Sequence, residues 1–296
     1  MSTTQSGPAV PANAEAIEAW DGVLFDRFVQ FRHLLVGNLA PHGAEALRTH
    51  PPQAGTRVLD VGCGFGDSAQ EIAALVGPAG AVVGIDAAPR FVETAEREAA
   101  EAGVDNVSFA VADVEAAPLE GPFDYAFSRF GTMFFANPVN ALRNVRAALA
   151  PGGRLCMVVW RAKPENDWVQ RGLEIVESFT ERPEEYDEPT CGPGPFSMAN
   201  ADTTSGILTS AGFTEIALRR CDLPMLMGTD LDEAVSLVMS IGPAAEIIRL
   251  QGDRIAHLLP DIRAALRGEI GKLKTKDGAI VAGSSTWIVT ATNPSS

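Results

Sequence analysis

Apolar positions along the chain follow two alternating rhythms. In RVLDV (57–61), AVVGID (81–86), VSFAVAD (107–113), FDYAFS (123–128) and GRLCMVVW (153–160) nearly every residue is apolar, as in strands buried on both faces. Between them DSAQEIAALV (67–76), PRFVETAEREAAEAG (89–103) and NPVNALRNVRAALA (137–150) place apolar residues every three or four positions, as amphipathic helices do. Strand and helix in turn predict right-handed βαβ crossovers and a parallel sheet with ligands at the carboxyl ends of its strands.

The flanking segments extend this pattern. Leu24, Phe25, Phe28, Leu35 and Leu39 share one face of a predicted helix over 24–39, with Arg32 in the middle of that face. PHG (41–43) and HPPQAG (50–55) are expected to break the chain before the first strand. After Trp160 come the loose RAKPENDW, a helical piece, the acidic ERPEEYDE and the loop CGPGPFS. A helix over 201–213, a strand over 214–226, two helices near 230–249 and 253–273 and a last strand, STWIVTAT (285–292), complete the reading. Residues 1–13 read as a disordered tail and 14–296 as one domain, with its core at about 50–160, 200–225 and 279–293 and substrate-covering elements at 14–49, 161–199 and 226–278. The fold class is α/β, Rossmann-like and doubly wound.

Charge and cysteines narrow the function. The 38 Asp and Glu against 23 Lys and Arg leave a formal charge of -15, which repels phosphate backbones and anionic membranes, so neither nucleic acid nor membrane is an expected partner. Cys63, Cys156, Cys191 and Cys221 match no zinc spacing, and no metal is expected; nothing in the spacing requires Cys191 and Cys221 to bind a soft metalloid together. With no signal peptide and no run of about 18 apolar residues, the chain reads as cytoplasmic. Its oligomeric state is not readable.

The chemistry concentrates in VLDVGCGFGDS (58–68). Gly62, Gly64 and Gly66 permit a tight strand-to-helix turn and close ligand approach, a feature shared by dinucleotide and adenosyl-group binders. Asp86 ends the second strand 26 positions after Asp60, where a carboxylate accepts hydrogen bonds from ribose hydroxyls. Asp60 itself would repel a pyrophosphate and attract an ammonium or sulfonium, which disfavours a nicotinamide cofactor. At the third strand's end, Asp113 and the Val114 amide suit an adenine edge.

These segments resemble the class I S-adenosylmethionine-dependent methyltransferases from about Gly55 to Trp160. LDVGCGFG, GIDAAP, ADVEAAPL and LAPGGRL are similar, in order, to four of that family's motifs. SRFGTMFFANP and GPFSMANADTTSGILTSAGF are similar to its small-molecule branch, which includes quinone-biosynthesis and natural-product enzymes. The resemblance implies seven strands with the last antiparallel. It implies S-adenosyl-L-methionine held by Asp60, Gly62, Cys63 and Gly64 at the methionine end, Asp86 and Ala87 at the ribose, and Asp113 and Val114 at the adenine, with Ser128 nearby. SRFG at 128–131 is not the tetrad of base N-methyltransferases, so a small-molecule acceptor is expected; binding without methyl transfer is the alternative.

For the acceptor, His33 is the candidate base, against an ordinary surface histidine. Arg32 and Arg129 either form structural ion pairs or meet an anionic substrate group. Trp20, Phe28, Met133, Phe134, Trp160 and Phe196 either wall an apolar pocket or are plain core. ERPEEYDE attracts a cationic amine or is a solvated loop.

Overall fold

The computed structural model describes residues 13–116, 118–183 and 193–295. The predicted tail apart from Asn13, most of ERPEEYDE, and Cys191 fall outside the described residues.

Seven strands form one sheet: β1 (Arg57–Val61), β2 (Ala81–Asp86), β3 (Val107–Val111), β4 (Phe123–Arg129), β5 (Leu149–Trp160), β6 (Thr214–Gly228) and β7 (Ile280–Thr292). Their order is β3-β2-β1-β4-β5-β7-β6, and β7 runs antiparallel to both of its neighbours. The order reverses between β1 and β4, which pair in parallel with Asp60 opposite Phe127. A crevice opens at the carboxyl ends of the strands at such a reversal. Leu59, Phe127, Leu155 and Met157 lie fully buried in the sheet's core.

Local sequence signals set the helix ends. α4 (Asp67–Val76) starts at Gly66, whose φ of +79° puts it in the left-handed region; a Cβ there would also meet Phe109 at 2.8 Å. α5 (Pro89–Ala102) and α6 (Pro138–Ala148) begin with proline, and Asn137 caps α6 by accepting the Asn140 N–H at 3.0 Å. α7 (Asp167–Phe179) precedes α8 (Ala201–Ala211), which Asn200 caps in the same way.

The structure departs from the pattern in several places. α1 (Ala14–Ala19) runs into a π turn at Trp20–Leu24, and the predicted helix over 24–39 is two pieces, α2 (Phe25–Gln30) and α3 (Arg32–Thr49), broken at Phe31. PHG does not end a helix: α3 continues through Pro41, because His42, Gly43, Ala46 and Leu47 are all buried and their packing outweighs the lost backbone bond. Two expected helices near 230–273 are three, α9 (Leu231–Ser240), α10 (Pro243–Gln251) and α11 (Leu259–Ile270). Gly242 at φ +92°, followed by Pro243, makes the extra break. Asp113 lies in the turn beyond β3 instead of ending it. Among the described residues no helix is long and apolar enough to cross a membrane.

Candidate cofactor and acceptor site

The glycine loop after β1 lies against the loop after β4: a Cβ on Gly62 would come within 3.0 Å of the Gly131 Cα. Gly62 and Gly64, at φ +69° and +53°, make the turn that glycine adopts without strain. Under this turn sits Asp60, completely buried. Its Oδ2 accepts the Ser68 hydroxyl at 2.7 Å, while Oδ1 has no partner. Burial raises its pKa to about 6, against the opposing pull of Ser68 and the Arg129 charge. A buried carboxylate oxygen left without a donor costs free energy, which a cationic ligand group recovers on binding.

Asp86 is built differently. Its Oδ2 accepts the Gly64 N–H and its Oδ1 the Ala88 N–H, each at 3.0 Å, so two backbone segments fix the carboxylate. A carboxylate has about four acceptor positions, and the remainder are available to a pair of hydroxyls. Burial raises this pKa too, and the backbone donors oppose the rise.

Past β3, Asp113 Oδ1 accepts the Glu115 N–H at 2.9 Å and Oδ2 accepts the Asn13 amide at 3.0 Å. Val114 is buried, and its carbonyl accepts from Asn144 of α6 at 2.8 Å. The Glu115 carboxylate collects the N–H groups of Ala136 and Asn137 and so ties this loop to the one after β4. Sequence reasoning missed Asn13, Glu115 and Asn144, because polar residues with partners so distant in the chain leave no periodic signal. Ala87 stands between Asp86 and the buried Ala88, Cys63 is buried within the glycine loop with burial pushing its thiol pKa well up, and the Ser128 hydroxyl donates to the Val61 carbonyl at 2.8 Å.

The expected acceptor residues divide into two groups. Trp20 meets Phe28 and Phe134 edge-on, at centroid distances of 5.3 and 4.8 Å, and Phe91 at 6.3 Å, so the π turn and α2 cover the glycine-loop side with aromatic rings. Trp160 belongs to a deeper cluster: it stacks on Phe130 at 4.3 Å and packs against Trp168, while its backbone N–H donates to the Met133 sulfur at 3.3 Å. Phe196 is half-buried with the Lys163 ammonium 5.6 Å from its ring centre. Phe130 has φ +61°, a conformation that costs a bulky residue about 1–2 kcal/mol and redirects the chain directly after Arg129.

The charged candidates separate as well. The Arg32 guanidinium lies over the Phe65 ring and meets both Glu98 oxygens at 2.5 and 2.6 Å, an ion pair within the protein. His33 is exposed and bonded at 2.7 Å to Glu233 at the start of α9. His42, which the sequence reading did not single out, is the buried histidine: its ring lies between Ser284 Oγ at 2.9 Å and Thr286 Oγ1 at 3.0 Å, and burial lowers its pKa to about 4. Both of its nitrogens are occupied. Cys63, Cys156 and Cys221 are free thiols, and among the described residues no cluster suits a metal ion.

The set of donors and acceptors fits S-adenosylmethionine on one structural observation above all, the orphaned Asp60 oxygen next to a glycine turn. A family model described as a methyltransferase domain matches residues 52–210, more than half of the chain, and the protein belongs to that family. It is 37% identical over 125 residues to the aklanonic acid methyltransferase DauC of Streptomyces sp. strain C5, a match covering 41% of this chain and 57% of that protein. It is 34% identical over 133 residues to the ubiquinone/menaquinone biosynthesis C-methyltransferase UbiE of Hahella chejuensis, with coverages of 44% and 53%. The matched region thus spans only about half the length of these curated relatives. Among solved structures, the YcgJ protein of Bacillus subtilis shares the fold with a TM-score of 0.56 at 19% identity, covering 86% of this chain and 99% of that one. The 4+2 cyclase SpnF shares it with a TM-score of 0.50 at 23% identity, covering 86% and 81%.

Proposed function

We propose that this protein transfers the methyl group of S-adenosylmethionine to a small, largely apolar acceptor. The observation that carries the reading is the fully buried Asp60 beneath the glycine loop, one oxygen of which lacks a donor. Such an oxygen suits the ammonium of the methionine part, with the Gly62 and Gly64 backbone alongside. Asp86 takes the ribose hydroxyls and Asp113 with Val114 the adenine. When bound, the sulfonium supplies an electrophilic methyl group with its leaving group already in place. The chain then has to align the acceptor and exclude water, which the Trp20, Phe28 and Phe134 rings are placed to do. The core spans about 50–160, 200–225 and 279–293, with the remaining helices covering the mouth. The names of its relatives, an aklanonic acid methyltransferase and a ubiquinone/menaquinone biosynthesis C-methyltransferase, support a small-molecule acceptor, and the setting proposed for the reaction is the cytoplasm.

Binding without methyl transfer is the second reading, favoured by the histidines: His33 is held by Glu233 and His42 is sealed among hydroxyls. Release of S-adenosylhomocysteine during incubation with phenolic and quinone acceptors separates the two. The primary test is calorimetric titration with S-adenosylhomocysteine beside NADH. Micromolar binding of the former alone is expected; binding of NADH alone overturns the reading.

A further inference from the structure

β4 has an arginine near each end. Arg129 closes its carboxyl end, half-buried with its stem along α3 at Gly43, where a Cβ would come within 2.8 Å of the Arg129 Cδ. Near the amino end stands Arg154 of β5, paired with Tyr125. There the ladder jumps from Phe123 opposite Leu149 to Tyr125 opposite Arg154, so residues 150–153 bulge out of it. Together with residues 51–56 before β1 they enclose a cleft of about 200 Å³ at the amino ends of β1, β4 and β5, the end of the sheet away from the glycine turn. Since roughly 10–15 Å³ of such space is enough for one water, the cleft has room for a substituted ring.

Its walls are held in place. Buried Asn293 has every polar atom engaged: its carbonyl accepts the Gly152 N–H at 2.9 Å, its N–H donates to the Gly153 carbonyl at 2.8 Å, its side-chain amide donates to the Leu149 and Ala150 carbonyls at 2.9 and 3.0 Å, and Arg146 donates to its Oδ1 at 3.2 Å. On the facing wall the Tyr125 hydroxyl donates to the His50 carbonyl at 2.6 Å. Gly152 has φ +78°, and a Cβ on Gly153 would fall 2.8 Å from the Ala150 oxygen, so the space stays open.

The cleft is poor in free donors. Pro51, Pro52 and Pro151 have no N–H, and the Thr56 hydroxyl already donates to the Gln53 carbonyl at 2.6 Å. Its charged donor is the exposed Arg154 guanidinium, which lies 5.8 Å from the Tyr125 ring centre and has no hydrogen bond or ion pair among the described residues. The carboxylate on the wall, Asp124, accepts the Arg57 N–H at 2.8 Å. We propose that this cleft is a second small-molecule site and takes a monocarboxylate with a compact ring body, the carboxylate on Arg154 and the ring among the prolines and Tyr125. The planar fork of arginine meets a carboxylate with two bonds. A dianion such as a phosphate monoester is disfavoured by Asp124 lining the same cleft and by the formal charge of -15. The proposal uses no residue of the cofactor or acceptor site and stands apart from the reading under Proposed function.

The test titrates the full chain, isotope-labelled for magnetic resonance, with benzoate and follows the amides of Gly152, Gly153 and Arg154. Saturable shifts at these amides are expected, and benzyl alcohol, the neutral counterpart, should bind about tenfold more weakly. Arg154→Gln should lower benzoate affinity about tenfold while changing benzyl alcohol less than about threefold, with Arg154→Lys in between. Because Arg154 is exposed, both variants should unfold at the wild-type temperature. No saturable shift at these amides, equal affinity for the two probes, or equal loss of both in Arg154→Gln overturns the proposal. So does phenyl phosphate binding more tightly than benzoate. The titration needs no cofactor, so its outcome is independent of whether S-adenosylhomocysteine binds.

Discussion

The two sides of the switch point treat buried polar groups in opposite ways. On the β1–β3 side, Asp60 keeps an unmatched oxygen and Asp86 keeps acceptor capacity beyond its two backbone donors. On the β5–β7 side, His42 is enclosed by Ser284 and Thr286, and Asn166 bonds Arg161, Ala162, Trp168 and Ser285. The first arrangement holds interaction in reserve for a ligand. The second spends it on rigidity, supporting the wall formed by Phe130, Trp160 and Trp168. A polar group's contribution to binding is thus set by what it lacks in the free protein.

Substitutions on the open side should give the largest effects. Asp86→Ala removes two charged hydrogen-bond positions worth about 1.5–3 kcal/mol each, so S-adenosylhomocysteine affinity should fall about 100-fold or more by calorimetry. A folded variant with unchanged affinity would break the comparison at its strongest point. Asp60→Asn should lower affinity about 10-fold or more and at the same time raise the thermal midpoint at pH 7. The shift of Asp60 from 3.8 to about 6 means that its charged form costs the free protein about 3 kcal/mol, an upper bound on that gain.

The same carboxylate predicts a pH profile for wild type. An ammonium binds the deprotonated form, so affinity should rise up to tenfold per pH unit as pH increases to about 6, then level off. An affinity flat from pH 4.5 to 7.5 would remove the ammonium from Asp60.

On the closed side the expected effect is on stability alone. His42 is held neutral with a pKa of about 4 against 6.5 in the unfolded chain, so the unfolded state binds more protons in that window. Its contribution is complete above pH 6.5 and is lost as pH falls toward 4, while Asp60, raised instead of lowered, opposes it between 6 and 3.8. Urea unfolding at pH 7 and 4.5 should therefore show a smaller acid loss in His42→Gln than in wild type. The smallest effect belongs to Arg32→Ala: a partly exposed ion pair with Glu98 is worth about 1 kcal/mol or less, and nucleoside affinity should change less than twofold.

The open side was also the legible one. Asp60 and Asp86 lie at the ends of β1 and β2, and the glycines and Asp113 in the loops just beyond β1 and β3, where short-range apolar rhythm and turn chemistry place them without knowledge of the rest of the chain. The closed side depends on pairs remote in sequence. His42 meets Ser284 and Thr286 across 242 and 244 positions, and nothing near PHG announces a buried histidine. Arg32 was placed on the right stretch of helix, yet its partner Glu98 is 66 positions away, so periodicity alone left its alternatives open. The aromatic residues were recognised as apolar, but their division into a cover and a core cluster follows from the break at Phe31 and the π turn, both set by tertiary packing.

The bond from Asn13 to Asp113 carries a kinetic consequence. The Asn13 amide donates to an acidic oxygen proposed above for the adenine amino group, and farther along the same segment Asp21 accepts the Arg90 N–H at 2.8 Å. On the reading proposed for Asp113, the nucleoside would have to share this carboxylate with the chain's own amino-terminal segment. The segment, being tethered, would meet it at a high effective concentration. Where the two exclude one another, observed affinity would be the intrinsic affinity reduced by the fraction of molecules in which Asn13 has let go, and the arrival rate would track that release more closely than diffusion.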